Sequence, residues 1–468
     1  MIQRLEKAAA SRSDDLAISN EQEALSFFQL LRLTEDWRER LSSYPKGTRL
    51  LISLPGGPSF LAVQLAAIEA GLVFAAMPHE TPPEGRGKYL ELFQPDLFLG
   101  DEGLSPQTVG KRADLPAEAA MLQFTSGSTG LPKGILVSKA QLTANLEINR
   151  EHIQGIHPGP VFCPIPQFHA MGNAVVLEYL LHGIPVHLSN RFVPAFELGR
   201  ITEFACRSVL ASPNWFQLLL KLGALSAEKL PSLSSMTLGT ASVDTTLVQG
   251  LRQAFPQAHI HLRYGLSESV GALTRLDIPP GKGLESRGLV GPPVPGIRIQ
   301  NLPGLEEEPG ELRAKGPCTC LGQLSSPERF ERLDDAEGWL STGDLASMDA
   351  EGRVHLRGRS SSFIKSGGHR IEPGEIEAVL RSFPAVLDAV VVGVQDPLLG
   401  QKIAAGLEVQ EDWDQGALRR HCRTFLPPYK IPQRIQALSP FPRTAAGKPD
   451  LSKVRQHFEG TQGQTPRR

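Results

Sequence analysis

Residues 125–134 read TSGSTGLPKG, with three glycines, four hydroxyl side chains, one proline and one lysine in ten positions. That mixture suits an anion. Glycines let backbone N–H groups approach a phosphate with no Cβ in the way. Ser126, Ser128 and Thr129 can donate hydroxyl hydrogen bonds, and Lys133 adds a mobile positive charge. AAMLQF before the loop and ILV after it read as strands, and Ser138 opens a capping box with Gln141 into a helix. The loop therefore joins strand to strand. A P-loop joins strand to helix and reads G-x-x-x-x-G-K-[ST]. Here Gly127 and Gly130 are too close, and Gly134 follows Lys133, so a P-loop kinase is disfavoured. A solvated hairpin turn has a similar composition, and the loop alone leaves both readings open.

The elements around it alternate. RLLISLP reads as a buried strand and SFLAVQLAAIEAG as a helix stopped by glycine. PVHLSN then AFELGRITEF, SVLASP then NWFQLLLKLG, and SMTLGTA then TTLVQGLRQAF repeat the pattern, which HIHLRYG closes. Such alternation implies an α/β core with largely parallel sheets. From about residue 285, GIRIQNL, GELRAKG, GWLSTGD and RVHLRGR are short strands with glycine-rich turns, a small β region that could close as a barrel. After GRSSS, the stretch IEPGEIEAVLRSF places Ile376, Val379, Leu380 and Phe383 on one helix face, with Pro373 in the first turn. DAVVVGV, KIAAGLEV, QGALRRHCRTF and RIQALS complete a smaller α+β domain. The expected division is 1–358, 359–459 and a polar, disordered tail 460–468.

Composition excludes some classes. At 468 residues the chain exceeds one core. Its net charge of −2 gives no field to gather nucleic acid or membrane. Five scattered cysteines fit a reducing compartment better than a disulfide framework, and Cys318 and Cys320 have no second pair at zinc spacing. No apolar run approaches the ~20 residues of a membrane span, and MIQRLEKAAASRSDD is too polar for a signal peptide. A cytoplasmic protein is expected.

Five segments together resemble the adenylate-forming superfamily of acyl- and aryl-CoA ligases, peptide-synthetase adenylation domains and beetle luciferases. TSGSTGLPKG is similar to its phosphate loop, YGLSE (264–268) to its adenine and magnesium motif, and STGD (341–344) to its ribose motif. GRSSSFIKSGGHRIEPGEIE (358–377) resembles the hinge and thiol tunnel, and PRTAAGKPD (442–450) the segment of the catalytic lysine. The resemblance runs from about residue 45 to about 455. It implies a large N-terminal domain and a smaller C-terminal domain that rotates between two half-reactions. ATP and a carboxylic acid give acyl-AMP and pyrophosphate, and a thiol then takes the acyl group.

Carried over residue by residue, the resemblance makes Lys448 the bridge between carboxylate and α-phosphate. A unit charge pair at 4 Å is worth about 4 kcal/mol at an effective dielectric of 20. Glu268 becomes a Mg2+ ligand, and Ser267 a phosphate contact. Tyr264 and Gly265 lie against adenine, Asp344 accepts from the ribose hydroxyls, and Arg359 adds a ribose or phosphate contact. Thr125 joins Ser126, Gly127, Ser128, Thr129 and Lys133 in the phosphate loop, while Gly367 and Gly368 line the path of a phosphopantetheine arm. Three departures stand out: Ser361 at the hinge, Thr240 where glycine is common, and Pro449–Asp450 after the lysine.

His169 follows Phe168 where amino-acid-activating relatives tend to place aspartate, so an acyl or aryl acid is implied. Gly265 stands where acetate-using relatives close the pocket with tryptophan, which leaves room for a larger acid. Trp215, Gly239, Thr240, Leu266 and Val270 are the candidate pocket lining; Trp215 suits core packing equally well. Coenzyme A is the expected thiol, with a phosphopantetheine carrier protein as the alternative. A catalytically silent nucleotide-binding regulator and a luciferase-like oxygenase are the remaining readings.

Overall fold

SFLAVQLAAIEA has no polar stripe, and such a helix must be covered on every side. In the computed structural model of the chain it is the helix Pro58–Ala70, begun by proline and ended by Gly71 at φ 82°. Every residue from Phe60 to Ile68 is buried. A second helix, Ala170–Leu180, is buried from Gly172 to Leu180. One buried amide pair ties the two. Gln64 Nε2 donates to Asn173 Oδ1 (3.0 Å), and Asn173 Nδ2 donates to Gln64 Oε1 (2.9 Å). Each amide thereby satisfies the other in a core that holds little water.

The structure describes residues 1–126, 132–156, 159–190, 193–301, 309–359, 364–366, 369–371, 373–396, 399–444 and 447–460. Among them the strands form four sheets. The first runs Ala272–Ile278, His259–Gly265, Ser235–Leu238, Ser208–Ala211, Val161–Cys163, Val186–Leu188, Leu16–Ser19 and Ala24–Ser26. It is parallel except at its two margins. The second has a parallel centre of Leu97–Gly100, Arg49–Ile52, Val73–Ala76 and Ala119–Ser126. One core cluster takes Ile18, Val161 and Leu210 from the first sheet and Ile52 and Phe74 from the second, with the two apolar helices in the same cluster.

The predicted hairpin around the opening loop is present. Ala119–Ser126 and Pro132–Ser138 pair antiparallel, with Thr125 opposite Lys133. The capping box follows: Gln141 N–H donates to Ser138 Oγ (3.1 Å), and Ser138 N–H donates to Gln141 Oε1 (2.9 Å).

The late β region differs from a barrel. Leu289–Gly291, Val354–Arg359, Leu340–Met348, Gly310–Lys315 and Arg298–Asn301 form an antiparallel path, open at both ends among the described residues. Gly322–Ser326 leaves this path and pairs with Pro132–Ser138, which extends the second sheet. The fourth sheet holds Ile364–Ser366, His369–Ile371, Val386–Asp396, Gly400–Val409 and Arg434–Ala437. Successive residues of a strand face opposite ways. Ala389 and Val391 therefore join Ile376, Leu380 and Leu418 on one side, while Val390, Val392 and Val394 join Val454 and Phe458 on the other. Among the described residues no helix is long and apolar enough to cross a membrane. All five cysteines are free and buried.

Candidate functional site

The parallel strands of the first sheet all point one way, so the segments leaving their carboxyl ends gather along one edge. Open α/β sheets bind ligands at that edge. His169 follows Val161–Cys163, Trp215 follows Ser208–Ala211, Gly239 and Thr240 follow Ser235–Leu238, and Gly265 ends His259–Gly265.

Tyr264 links this edge to the third sheet. Its hydroxyl donates to Asp344 Oδ2 at 2.7 Å. Asp344 is buried on Leu340–Met348, where its N–H donates to Thr342 Oγ1 (3.1 Å). Its ladder partner is Arg359. Three sequence motifs, more than 90 residues apart from first to last, thus meet at one corner.

The turn after Tyr264 is knotted by the buried Ser269. Its Oγ accepts from Leu266 N–H (3.1 Å) and donates to the Gly271 carbonyl (2.7 Å). Ser267 and Glu268 stay half-buried on the single 3-10 turn Ser267–Ser269. The Glu268 carbonyl accepts from Cys320 N–H at 2.7 Å, which fixes the turn against the segment before Gly322–Ser326. A Cβ on Gly265 would stand 2.3 Å from the Gly271 carbonyl oxygen, so this glycine has a backbone reason of its own besides any pocket it opens. Leu266 is partly buried against Ala272 and Leu273. Val270 is in the core at φ 60°. A β-branched residue there is strained, and such strain collects at functional turns.

Beneath the turn lies a buried ionic knot that the sequence reading did not single out. Arg263 Nη1 and Nη2 donate to the two Glu178 carboxylate oxygens at 2.8 and 2.9 Å. Asn145 Nδ2 donates to Glu178 Oε1 (2.7 Å). Burial works against the Arg263 charge, yet Glu178 outweighs it and holds the guanidinium above its usual range. No periodicity announces such a knot; only the polar residues Asn145 and Asn149, four apart on a packed helix, hint at it.

Along the same edge, His169 is the N-cap of Ala170–Leu180, and its ring lies 4.3 Å from that of Phe168. Met171 packs on Gly239, where a Cβ would meet its sulfur at 2.8 Å. Thr240 follows at φ 73°. A glycine would adopt that conformation without strain. Of its two readings, pocket wall and core packing, Trp215 takes the second. It is buried in the core, its Nε1 donates to Glu197 Oε2 (3.0 Å), and its ring centroid is 6.4 Å from that of Phe162. Burial pushes the Glu197 carboxyl up to about 7.

The loop residues Gly127, Ser128 and Thr129 lie outside the described residues, as do Ser361, Gly367 and Gly368. Ser126 ends one strand of the hairpin, opposite Pro132. Ser366 and His369 are paired on either side of the two glycines.

Lys448 is exposed on a turn of the smaller domain. Thr444 N–H donates to the Lys448 carbonyl (2.7 Å), and Arg443 Nη1 donates to the Gly447 carbonyl (3.0 Å). The other arm of Arg443, Nη2, reaches Asp388 Oδ2 at 3.0 Å and also contacts Glu408. Asp388 in turn accepts from Asn214 Nδ2 (3.0 Å), on the helix Pro213–Lys221 of the larger domain. Lys221, on the same helix, donates to the carbonyls of Val386 and Arg381. Burial lowers its ammonium to about 8. A short polar chain therefore runs from the larger domain through Asp388 and Arg443 to the turn that carries Lys448.

The model of the AMP-binding enzyme family matches residues 107–323, and that of the AMP-binding enzyme C-terminal domain matches residues 375–448. The sulfoacetate–CoA ligase of Cupriavidus necator is 30% identical over 428 residues, which cover 88% of this chain and 78% of that protein. The chain belongs to the AMP-binding enzyme family. Among solved structures, ATP-bound MatB from Rhodopseudomonas palustris superposes with a TM-score of 0.82 at 21% identity, covering 98% of both chains. The o-succinylbenzoate CoA synthetase of Bacillus subtilis, in complex with its acyl-adenylate intermediate OSB-AMP, gives 0.81 at 24% identity and covers 97% of both. The α/β class, with a large N-terminal and a smaller C-terminal domain, is therefore the fold of this AMP-binding enzyme, and its class of activity is acid–thiol ligation.

Proposed function

We propose that this AMP-binding enzyme activates a small carboxylic acid, larger than acetate, and passes it to free coenzyme A. A carboxylate oxygen attacks the α-phosphorus of ATP; the bond to the β-phosphate oxygen breaks, and pyrophosphate leaves. The thiolate of coenzyme A then attacks the acyl carbon, and AMP leaves with the bridging oxygen.

The observation that carries this reading is the Tyr264–Asp344 hydrogen bond, which joins the YGLSE and STGD motifs across two sheets at 2.7 Å. Tyr264 orients the Asp344 carboxylate, which accepts from the ribose hydroxyls. Glu268 offers one carboxylate, the kind of ligand magnesium takes when phosphate oxygens and water supply the rest. Bound there, the ion neutralises phosphate charge. Thr125 and Lys133, paired at the neck of the hairpin, flank the loop that would hold the phosphates. Lys448 neutralises charge between the attacking carboxylate and the α-phosphate. The carboxylate has no proton to lose at pH 7, so His169 serves as a polar wall for the acid and not as a base. Gly239, Thr240, Leu266 and Val270 border the same edge. Gly367 and Gly368 leave a narrow path for the pantetheine arm. The domains divide at residues 358 and 359, next to Ser361, and the protein works in the cytoplasm without nucleic acid.

A panel of carboxylic acids tests this, with pyrophosphate release followed with and without coenzyme A. The panel includes sulfoacetate and 2-succinylbenzoate, the acids named for relatives. Acid-dependent release and a coenzyme A thioester are expected. Product only on a phosphopantetheine carrier protein would move the acceptor to the alternative. ATP binding with no release for any acid would favour a silent regulator.

A further inference from the structure

We propose that His152, His261 and Asp277 bind one divalent ion of the zinc class, away from the nucleotide corner and independently of the reaction above. The three residues come from three elements: the helix Lys139–Ile156 and the strands His259–Gly265 and Ala272–Ile278. One ligand atom from each lies within 4.8 Å of the others. His261 and Asp277 are direct partners in the antiparallel ladder, with Nδ1 and Oδ1 at 2.6 Å. His152 completes a helix face begun by Asn145 and Asn149, at spacings of four and three. That face already meets the Arg263–Glu178 knot, so His152 arrives over His261 one turn further along.

The ring geometry suits a shared ion. The His152 and His261 centroids are 5.1 Å apart with the planes at 86°. Two imidazoles on one tetrahedral ion, at ~2.0–2.1 Å from metal to nitrogen, hold their centroids roughly 5 Å apart. A histidine–aspartate hydrogen bond alone accounts for two of these residues but not for the third. Two imidazoles and one carboxylate select zinc, cobalt or nickel over magnesium. His261 is fully buried, whereas the Asp277 side chain is 45% exposed, so it can swing from hydrogen bond to ligand and leave a fourth position for water. Arg275 Nε stands 3.9 Å from the other Asp277 oxygen and would compete for that carboxylate. Bound, the ion would clamp the helix to the hairpin that ends in Tyr264 and Glu268.

The test uses the full chain, stripped with a chelator and titrated with Zn2+ against a chromophoric competitor. His152→Ala and Asp277→Asn change residues outside the deep core, so both variants should fold. One ion per chain is expected. Each variant should weaken it by more than about a hundredfold, beyond what loss of an outer partner of a ligand costs. Co2+ should give the visible bands of a tetrahedral nitrogen–oxygen site in the parent and not in the variants. Zn2+ should raise the melting temperature of the parent alone. No stoichiometric zinc, or zinc held equally well by both variants, would overturn the site; equal retention would place the ion elsewhere, for instance on Cys318 and Cys320.

Discussion

Tyr264 and Lys448 are proposed to serve one reaction, yet they are held in opposite ways. Tyr264 stands on a strand inside a sheet, bonded to a buried aspartate, above a buried bidentate ion pair. Lys448 stands exposed on a turn closed by a few backbone bonds. Its tie to the larger domain passes through Arg443, Asp388 and Asn214, and that seam is polar. Polar interfaces between domains separate readily. On the proposed reading the nucleotide corner is preorganised, while the lysine is delivered by a part that can leave.

The largest expected effect breaks the delivered side. Lys448→Ala should lower acid-dependent pyrophosphate exchange by roughly a thousandfold, the rate equivalent of about 4 kcal/mol. Thioester formation from supplied acyl-AMP should be nearly unchanged. Equal loss in both half-reactions would make Lys448 part of the fixed site and erase the contrast.

Glu178→Gln attacks the rigid side. It leaves the Arg263 charge buried without its counter-charge, so a loss of about 3 kcal/mol of stability is expected, read by chemical denaturation. A loss under about 1 kcal/mol would mean that the knot does not anchor the hairpin.

How much of this contrast was legible in the sequence differs between its two sides. Gly71 stops an apolar helix, and Ser138 with Gln141 caps another; both signals are local and both elements formed as read. Tyr264, Asp344 and Arg359 were candidates one by one, but their meeting depends on which strands pair, and pairing is not a local property. Gly322–Ser326 shows this, since it lies within the late β region in sequence and joins the second sheet in space. Trp215 left two readings open because an aromatic at a helix start looks alike whether it faces a pocket or a core. Asp388 gave no signal, because a single charged residue usually belongs to a solvated surface, and Arg443 lay in the PRTAAGKPD segment with nothing to name its partner.

A smaller effect concerns the helix on which the delivered domain docks. Trp215 in that helix donates to Glu197, whose carboxyl is raised by burial to about 7 from an ordinary value of 4.5. The folded chain then binds more protons than the unfolded chain between those values, so stability falls as pH rises from 4.5 to 7 and is level above. Glu197→Gln should remove that slope, worth about 2 kcal/mol, in denaturation curves at pH 5 and pH 8. A parent protein with the same slope as the variant would count against a raised carboxyl.

The smallest effect sharpens the seam. Asn214→Ala removes the bond to Asp388 from the larger domain. The adenylation turnover should fall about fivefold, for about 1 kcal/mol, with the thioester step unchanged. A change in the second step alone would mean that this contact belongs to the other arrangement of the domains.

Return of labelled pyrophosphate into ATP, measured without coenzyme A while the acid is varied, reports acyl-AMP formation itself. Exchange that requires a particular carboxylic acid and magnesium is expected, with acyl-AMP recoverable from the quenched enzyme. ATP turned over to ADP and phosphate, with no label returned for any acid in the panel, would contradict acyl-AMP formation.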